Sequence, residues 1–333
     1  MLNKKNIIFI LFQVLFCYSV FDNTYDFKIP SSTSLASINT ENFYNFYNPA
    51  CNKISQNKFL HSSFSNYFNG LLKNQTMYFS IHSKSFDVLN FSIIKSSIDN
   101  IYNTTNAWND DGDGLIDINE IDYNNITTFN HNTLGFIVSK TFILNDKYKN
   151  FVPFYNSNIQ YGINSKFSFS SLASENSFSH SFDLGLMYYS PKFLNSFFYP
   201  NIGLLIQNFL PYSYWSTGQI DKQKTEVILG SSFGFLKSIE SSNKHFFYFN
   251  SDFNLSILNN SSFGFEYKFV NNNNSISILT NISKIQNLLG FIIRFNNNFD
   301  IAYSYMIPNN KELTSSQKII LGINRDMLKN YIK

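Results

Sequence analysis

The chain has little arginine, cysteine or charge for its length of 333 residues. Only 14% of the residues are charged, and arginine occurs only at Arg294 and Arg325. No basic cluster with interleaved aromatic residues is present, so nucleic acid is not expected as a partner. Of the two cysteines, Cys17 falls in the N-terminal leader, and the single remaining Cys51 cannot form an internal disulfide. The fold is therefore expected to depend on its secondary structure and not on cross-links.

Long hydrophobic runs are missing after the N-terminus, and so are the motifs of common enzymes. No later segment is apolar over the roughly 18–20 residues that a membrane-spanning helix needs. There is no Gly-x-Ser-x-Gly turn, P-loop or His-Glu-x-x-His motif. We therefore predict that the protein is not an enzyme. The histidines are scattered singly, at His61, His82, His131, His180 and His245.

Residues 1–19 are predicted to be a secretory signal peptide. Lys4 and Lys5 precede an apolar stretch at 7–20, and residues 17–19 provide a small-x-small cleavage site. Residues 20–57 are irregular, because prolines such as Pro30 and Pro49 interrupt any long element. We expect this segment to lie under or inside the next domain as a partial plug, with a floppy periplasmic tail as the alternative.

The rest of the chain repeats one short pattern, in which apolar residues alternate with small polar residues. In the segment 177–189, Phe178, Phe182 and Leu184 alternate with Ser179 and Asp183. Strand side chains point alternately to opposite faces, so each such strand has an apolar wall and a polar wall. The pattern predicts an all-β protein, a transmembrane antiparallel up-and-down β-barrel of about fourteen strands. The strands are expected near 59–68, 76–82, 88–94, 133–142, 158–170, 177–189, 201–207, 226–235, 246–257, 263–269, 275–283, 288–296, 300–305 and 318–324.

A secreted β-sandwich would also show this alternation. The barrel is favoured because the polar walls carry mostly Ser, Asn, Gly and Thr, whereas the solvated face of a soluble sheet carries more Lys and Glu. In the barrel, Asp183 and Glu266 are predicted to face the lumen, with Lys268 and Arg294 as candidate partners. The lipid-facing wall is predicted to include Phe182, Leu184, Leu186, Phe263, Phe265 and Tyr267.

The predicted domain order is a barrel over 58–325 followed by a short C-terminal tail over 326–333. With both termini on the periplasmic side, the odd-to-even loops face outward. These include the two longest, 96–132 and 208–225. Long outer loops and shorter periplasmic turns are typical of outer-membrane barrels.

Three short motifs follow one another along the mature chain. Asn48-Pro49-Ala50 precedes the first predicted strand, 182–188 reads Phe-Asp-Leu-Gly-Leu-Met-Tyr, and 202–208 reads Ile-Gly-Leu-Leu-Ile-Gln-Asn. Together they resemble the motifs of PorV/PorQ-type outer-membrane proteins, relatives of FadL-like fourteen-stranded barrels.

This resemblance implies an outer-membrane location and a part in type IX secretion, in which exported cargo is held at the cell surface. The implied partners are outer-membrane lipid and secreted cargo or other secretion components. Two alternatives stay open, a FadL-like channel for hydrophobic small molecules and a secreted calcium-dependent β-sandwich adhesin.

The long outer loop contains a twelve-position calcium motif at 109–120. Gly114 stands where the sharp turn of such a loop needs glycine, and calcium prefers about 6–8 oxygen ligands. We predict one structural Ca²⁺ ion in this loop. Its ligands are expected to be Asn109, Asp111, Asp113, the carbonyl of Leu115, Asp117 and Glu120.

We predict that calcium orders this loop, because the ion removes the repulsion between its crowded carboxylates. The fluorescence of Trp108 and the protease resistance of the loop should both change as calcium rises through about 10⁻⁴–10⁻³ M. Asp113→Ala should abolish both changes, and another ion of similar size should restore them in the wild type. A loop unaffected by several millimolar calcium would be a chance acidic sequence.

Overall fold

The computed structural model describes residues 48–51, 58–83, 87–103, 107, 121–143, 158–189, 198–238, 243–256, 261–284, 286–296, 298–310 and 313–324. Within these residues, fourteen antiparallel strands close a barrel, and one further strand of three residues extends the wall locally. No helix among the described residues is long and apolar enough to cross a membrane.

The strands are numbered in chain order. They are β1 Lys58–Tyr67, β2 Leu72–Ser83, β3 Asp87–Asn103, β4 Thr127–Ile143, β5 Asn158–Leu172, β6 Glu175–Tyr189, β7 Phe198–Trp215, β8 Ile220–Lys222, β9 Glu226–Ser238, β10 Asn243–Asn254, β11 Ser261–Asn271, β12 Asn274–Ser283, β13 Gln286–Phe295, β14 Phe299–Pro308 and β15 Ser316–Asn324.

The barrel is closed by pairing between its first and last strands. Each barrel strand pairs with the next along the chain, β1 pairs with β15, and the short β8 adds to β7 outside the ring of fourteen. A closed sheet leaves no edge unpaired in lipid. The predicted barrel and its strand count are therefore confirmed. The β-sandwich alternative is wrong, because a sandwich needs two sheets packed face to face.

The outer and inner walls have opposite polarity. Large apolar side chains are exposed on the outer wall, whereas the buried inward side chains are mainly Ser, Asn, Thr and charged residues. The predicted facing is confirmed at Leu184, Leu186 and Phe263, which are exposed, and at Asp183 and Glu266, which are buried. Phe182, Phe265 and Tyr267 are partly exposed on the same outer wall.

One line of outward-facing residues can be followed through its register pairs from β9, by way of β10–β15 and β1–β6, to β7. We call it the outward line. Twelve of its fourteen members are Phe, Tyr, Ile or Leu, and the other two are adjacent. In order, the members are Phe235, Phe247, Tyr267, Ile278, Phe291, Tyr303, Ile319, Phe64, Gln75, Lys95, Leu134, Phe169, Phe178 and Tyr214.

The predicted outer loop 96–132 is too long. β3 continues to Asn103 and pairs with β4, which already begins at Thr127. A bulge between Ile98 and Ile101, with Asn100 at φ 57, interrupts the period-two pattern while backbone pairing continues. The apolar-polar alternation therefore stops several residues before β3 itself ends.

The second predicted loop, 208–225, is too long for a similar reason. It contains the last eight residues of β7 and the whole of β8. β7 pairs with β6 up to Trp215, but its last pair with β9 is Gln207 with Glu226. The upper end of β7 therefore rises about 20 Å past the top of β9. The tall side of the barrel is formed by β3–β7, strands of 15–18 residues.

A charged residue at Leu184 should destabilise the barrel, because Leu184 lies in the middle of the outward-facing run of β6. We expect Leu184→Lys to lower the free energy of unfolding by about 2–4 kcal/mol if the site is near the bilayer midplane. Tyr102→Lys, next to the last residue of β3, is the control and should change the free energy of unfolding little. Urea unfolding in lipid vesicles, with heat modifiability on a gel, measures both. Equal losses would show that Leu184 does not face lipid.

Candidate functional site

A short turn of the N-terminal segment is buried against the lumen wall. Asn48, Ala50 and Cys51 are each 0% exposed. The amide of Ala50 donates to Asn48 Oδ1 at 3.0 Å, and the amide of Cys51 donates to the Asn48 carbonyl at 3.0 Å. Pro49 fixes its own φ inside this turn and has no backbone N–H to satisfy. Asparagine and proline thus fold the four residues into a compact unit that can enter the barrel.

Two glycines on neighbouring strands make the space for this turn. Gly162 of β5 and Gly185 of β6 are paired directly across the sheet. A Cβ atom at Gly162 would lie 2.3 Å from the Pro49 carbonyl oxygen, and one at Gly185 would lie 2.0 Å from Asn48 Oδ1. No side chain fits at either position without moving the turn. We call this pair the glycine notch.

Polar and apolar contacts hold the turn in the glycine notch. On β4, the hydroxyl of Thr141, which pairs with Gly162, donates to the Pro49 carbonyl at 2.5 Å. Ala50 and Cys51 pack against Met187 and Tyr189 of β6. Thr141 and Tyr189 are near the ends of β4 and β6. These ends lie at the end of the barrel where β1 begins and β15 finishes, which we call the terminal end.

A buried ion pair lies on the same wall, one layer above the notch. Lys166 Nζ is 2.7 Å from Asp183 Oδ1, and their side chains are only 4% and 3% exposed. Asp183 Oδ1 also accepts from the amide of Asn208 at 2.9 Å, and Asp183 Oδ2 accepts from Asn164 Nδ2 at 3.1 Å. Lys166 Nζ donates to Asn208 Oδ1 at 2.7 Å. These bonds offset the desolvation of two charges, which a bare pair would not do well.

Asp183 stabilises an irregular stretch of β7. The register between β6 and β7 shifts twice, around Phe182, and Asn208 and Leu210 on β7 have φ of 53° and 52°. Left-handed backbone is costly for leucine. Pro211 follows at once, as expected for a proline inside a sheet, which is tolerated at bulges. The bond from the Asn208 amide to Asp183 gives this bulged backbone a partner that the regular ladder does not supply.

The predicted partners of Asp183 were wrong. Lys268 and Arg294 are the candidates that the sequence suggested, but Asp183 pairs with Lys166, and Arg294 Nε pairs with Asp300 Oδ1 at 2.8 Å. Arg294 and Asp300 face each other across the β13–β14 hairpin. Alternation assigns a residue to a wall but does not assign its height in the barrel, so it cannot choose among inward-facing charges.

The lumen wall is electrically balanced among the described residues. The buried charged residues comprise four acids and four bases. An apolar cluster is also buried in the lumen, on β2–β4 and β12–β15. The charged residues are Asp183, Asp252, Glu266, Asp300, Lys166, Lys268, Arg294 and Lys318. The apolar cluster is Tyr78, Ile94, Ile137, Leu279, Ile292, Ala302 and Ile320.

The predicted calcium ligands lie outside the described residues. Asn109, Asp111, Asp113, Leu115, Asp117 and Glu120 all fall between residue 107 and residue 121. Among the residues that the structure does describe, no group of three or more His, Cys, Asp or Glu side chains could hold a metal. The calcium site therefore stays a prediction, on a loop that joins two strands of the tall side.

Sequence reasoning missed the notch and most of the ion-pair network. Gly162, Thr141 and Lys166 were not singled out, although a glycine inside a strand often marks close approach of another backbone. Once folded, the three motifs of the resemblance meet at this one place: Asn48-Pro49-Ala50 contacts Gly185, and Asp183 binds Asn208.

Comparison with known proteins gives no family for the chain. No protein-family model matches it, and no curated protein matches it. Among solved structures, the KdgM porin in complex with disordered oligogalacturonate has 8% sequence identity and a TM-score of 0.31, covering 79% of this chain and 97% of that chain. A mutant of the Rh. blastica porin has 6% identity and a TM-score of 0.31, covering 80% and 98%. CdiB from Acinetobacter baumannii has 8% identity and a TM-score of 0.38, covering 80% and 60%.

TM-scores this low carry no argument about function, and the barrel assignment rests on the strand pairing of the chain itself. Membership of the PorV/PorQ or FadL groups stays a prediction from the three motifs.

We predict that Gly162→Ala displaces the buried turn, because the new methyl group would collide with the Pro49 backbone. Overpacking of this kind costs about 1–3 kcal/mol, so the displaced state should become about 5–150-fold more populated. Maleimide labelling of Cys51 in the folded barrel measures that population, and Cys51→Ser confirms the labelled site. Ser168→Ala, at a buried position on the same strand, is the matched control and should not change the rate. Unchanged labelling in Gly162→Ala would show that the turn does not occupy the notch.

Proposed function

We propose that the protein is a non-enzymatic outer-membrane barrel that acts at the cell surface, as a type IX secretion-associated component that holds exported cargo. The observation that carries this proposal is the meeting of three separate motifs on one part of the lumen wall, at the glycine notch and one layer above it. Asn48-Pro49-Ala50, Gly185 with Asp183, and Asn208 form one connected unit. Motifs that fold into one unit support the PorV/PorQ resemblance better than three separate sequence matches do.

The interior favours a docking role over that of an open pore. The Asn48–Cys51 turn occupies part of the lumen near the terminal end, and the inward side chains around it are buried. The buried charges among the described residues balance each other, and this mixture differs from the single-sign charge ring that selects ions in many channels. A barrel built in this way offers its outer surface and its loops to a partner more readily than its lumen.

The tall side supplies a surface for such a partner. At the end opposite the terminal end, β3–β7 extend beyond the shorter strands of the rest of the barrel. The loop with the calcium motif joins β3 to β4 at this end. In this proposal a calcium ion stiffens that loop, so that exported cargo meets a fixed surface. In this proposal the signal peptide directs export of the protein, and outer-membrane lipid surrounds its apolar wall.

A channel for hydrophobic small molecules is the second candidate function. It is favoured by one observation, the buried apolar cluster on β2–β4 and β12–β15, which lies in an otherwise polar lumen. Apolar side chains on the inner wall would contact a hydrophobic molecule more favourably than a sugar or an ion.

Two measurements on the same strain separate these functions. After deletion of the gene, the cargo-holding function predicts that surface proteins are released into the medium while uptake of a labelled long-chain fatty acid is unchanged. The purified protein should then show no large, steady conductance in planar bilayers. Loss of fatty-acid uptake with normal surface proteins would support the channel. A stable porin-like conductance of the wild-type protein would contradict the docking role.

A further inference from the structure

The outward line is interrupted at one place. In the outward line, Gln75 of β2 and Lys95 of β3 are paired with each other and stand between Phe64 and Leu134. Both Gln75 and Lys95 are exposed. All other members of the line are aromatic or aliphatic, including those on strands of the tall side. The interruption is therefore a local feature of β2 and β3.

The polar surface continues from this pair toward the end opposite the terminal end. Lys73 is exposed on β2 beside Asn66 of β1, its register partner. Lys73 Nζ is 2.9 Å from Asp99 Oδ2, and both side chains stay partly open to the outside, at 45% and 38% exposure. The patch thus has two ammonium groups, two amide side chains and one carboxylate. It has a net charge of about +1, with donors in excess.

The surface on the other side of the pair is apolar. Phe64, Met77 and Ile93 face outward next to it, with exposures of 44%, 50% and 36%. Passing down the wall, the outside changes within one strand step from ammonium and amide groups to mainly apolar side chains, with the exposed Ser62 of β1 beside Met77. A molecule that matched this surface would carry an anionic head directly above an apolar chain.

We propose that this face of β2 and β3 binds the phosphate of a membrane lipid whose headgroup has a net negative charge, with its acyl chain on Met77 and Ile93. Lys95 and Lys73 attract the phosphate, and the amide of Gln75 donates a hydrogen bond to it. A lysine on a lipid-facing wall is unfavourable in bare hydrocarbon, and a bound phosphate compensates its charge. This proposal holds for either of the functions above, since both need the barrel to sit in the bilayer.

A second protein lying beside the barrel is the competing occupant. The lipid is favoured because the polar patch is small and its charge is positive. The exposed apolar side chains beside it suit an acyl chain. Asp99 is the only acid in the patch, and its pairing with Lys73 leaves Lys95 as the main attractor.

The experiment measures the thermal midpoint of the purified full-length mature protein in an uncharged detergent. Phosphatidylglycerol, phosphatidylcholine or inorganic phosphate is added to matched samples. Phosphatidylglycerol should raise Tm by several degrees and the other two should not, because binding to the folded state stabilises it. Lys73→Gln/Lys95→Gln should lose most of this rise. Lys284→Gln, the same change at an exposed turn outside the patch, should keep it.

A second variant guards against a simple loss of folding. Gln75→Leu/Lys95→Leu completes the apolar outward line, so its Tm without lipid should equal or exceed that of the wild type, while the response to phosphatidylglycerol disappears. Native mass spectrometry should show fewer bound phosphatidylglycerol molecules in both variants. An equal response to all three additives, a response to inorganic phosphate alone, or a full response in either variant would overturn the proposal. Absence of any lipid preference in the wild type would do the same and favour a protein partner.

Discussion

The structure depends on one constraint, that every backbone amide and carbonyl crossing the hydrocarbon must be hydrogen-bonded within the protein. The chain meets it by pairing β1 with β15, so that the sheet has no edge in lipid. Closure then dictates the alternation of side chains, because each strand has lipid on one side and lumen on the other. The low content of charged residues has the same origin, since only inward positions and connections tolerate them.

Within this ring, the wall formed by β5, β6 and β7 departs from regularity twice. The glycine notch removes two side chains so that the Asn48–Cys51 turn can reach the backbone. The bulges of β7 leave the Asn208 amide to be satisfied by Asp183, two residues from Gly185. Each irregularity has a specific partner, one a turn of the same chain and the other a buried carboxylate. The adjacent positions of the two make this wall the most specialised part of the described barrel.

Inner and outer walls differ in how they treat charge. Inward charges are buried and matched, as with Lys166 and Asp183 or Arg294 and Asp300. This matching is needed because an uncompensated charge in a low-dielectric interior is expensive. On the outer wall, the exposed Lys95 stands between Gln75 and Leu134, and in our proposal a lipid phosphate compensates its charge. The desolvation of a charge is thus compensated by a protein side chain on the inner wall and, in our proposal, by a lipid on the outer wall.

The strands, and the wall that each side chain faces, could be predicted from the amino-acid sequence alone. Alternation is a local property with a period of two, so fourteen strands, the outward position of Leu184 and the inward position of Asp183 followed from neighbouring residues alone. The ends of the strands were predicted less accurately, because bulges at Ile98–Ile101 and in β7 break the period-two pattern while backbone pairing continues.

Which residues contact one another became clear only in the folded barrel. Register brings Gly162 to Gly185, Lys166 to Asp183 and Gln75 to Lys95 across neighbouring strands. This register depends on the length of each turn and on bulges, which the period-two alternation does not show. The contact between the Asn48–Cys51 turn and the glycine notch likewise depends on the register of β5 and β6, so the sequence pattern did not predict it.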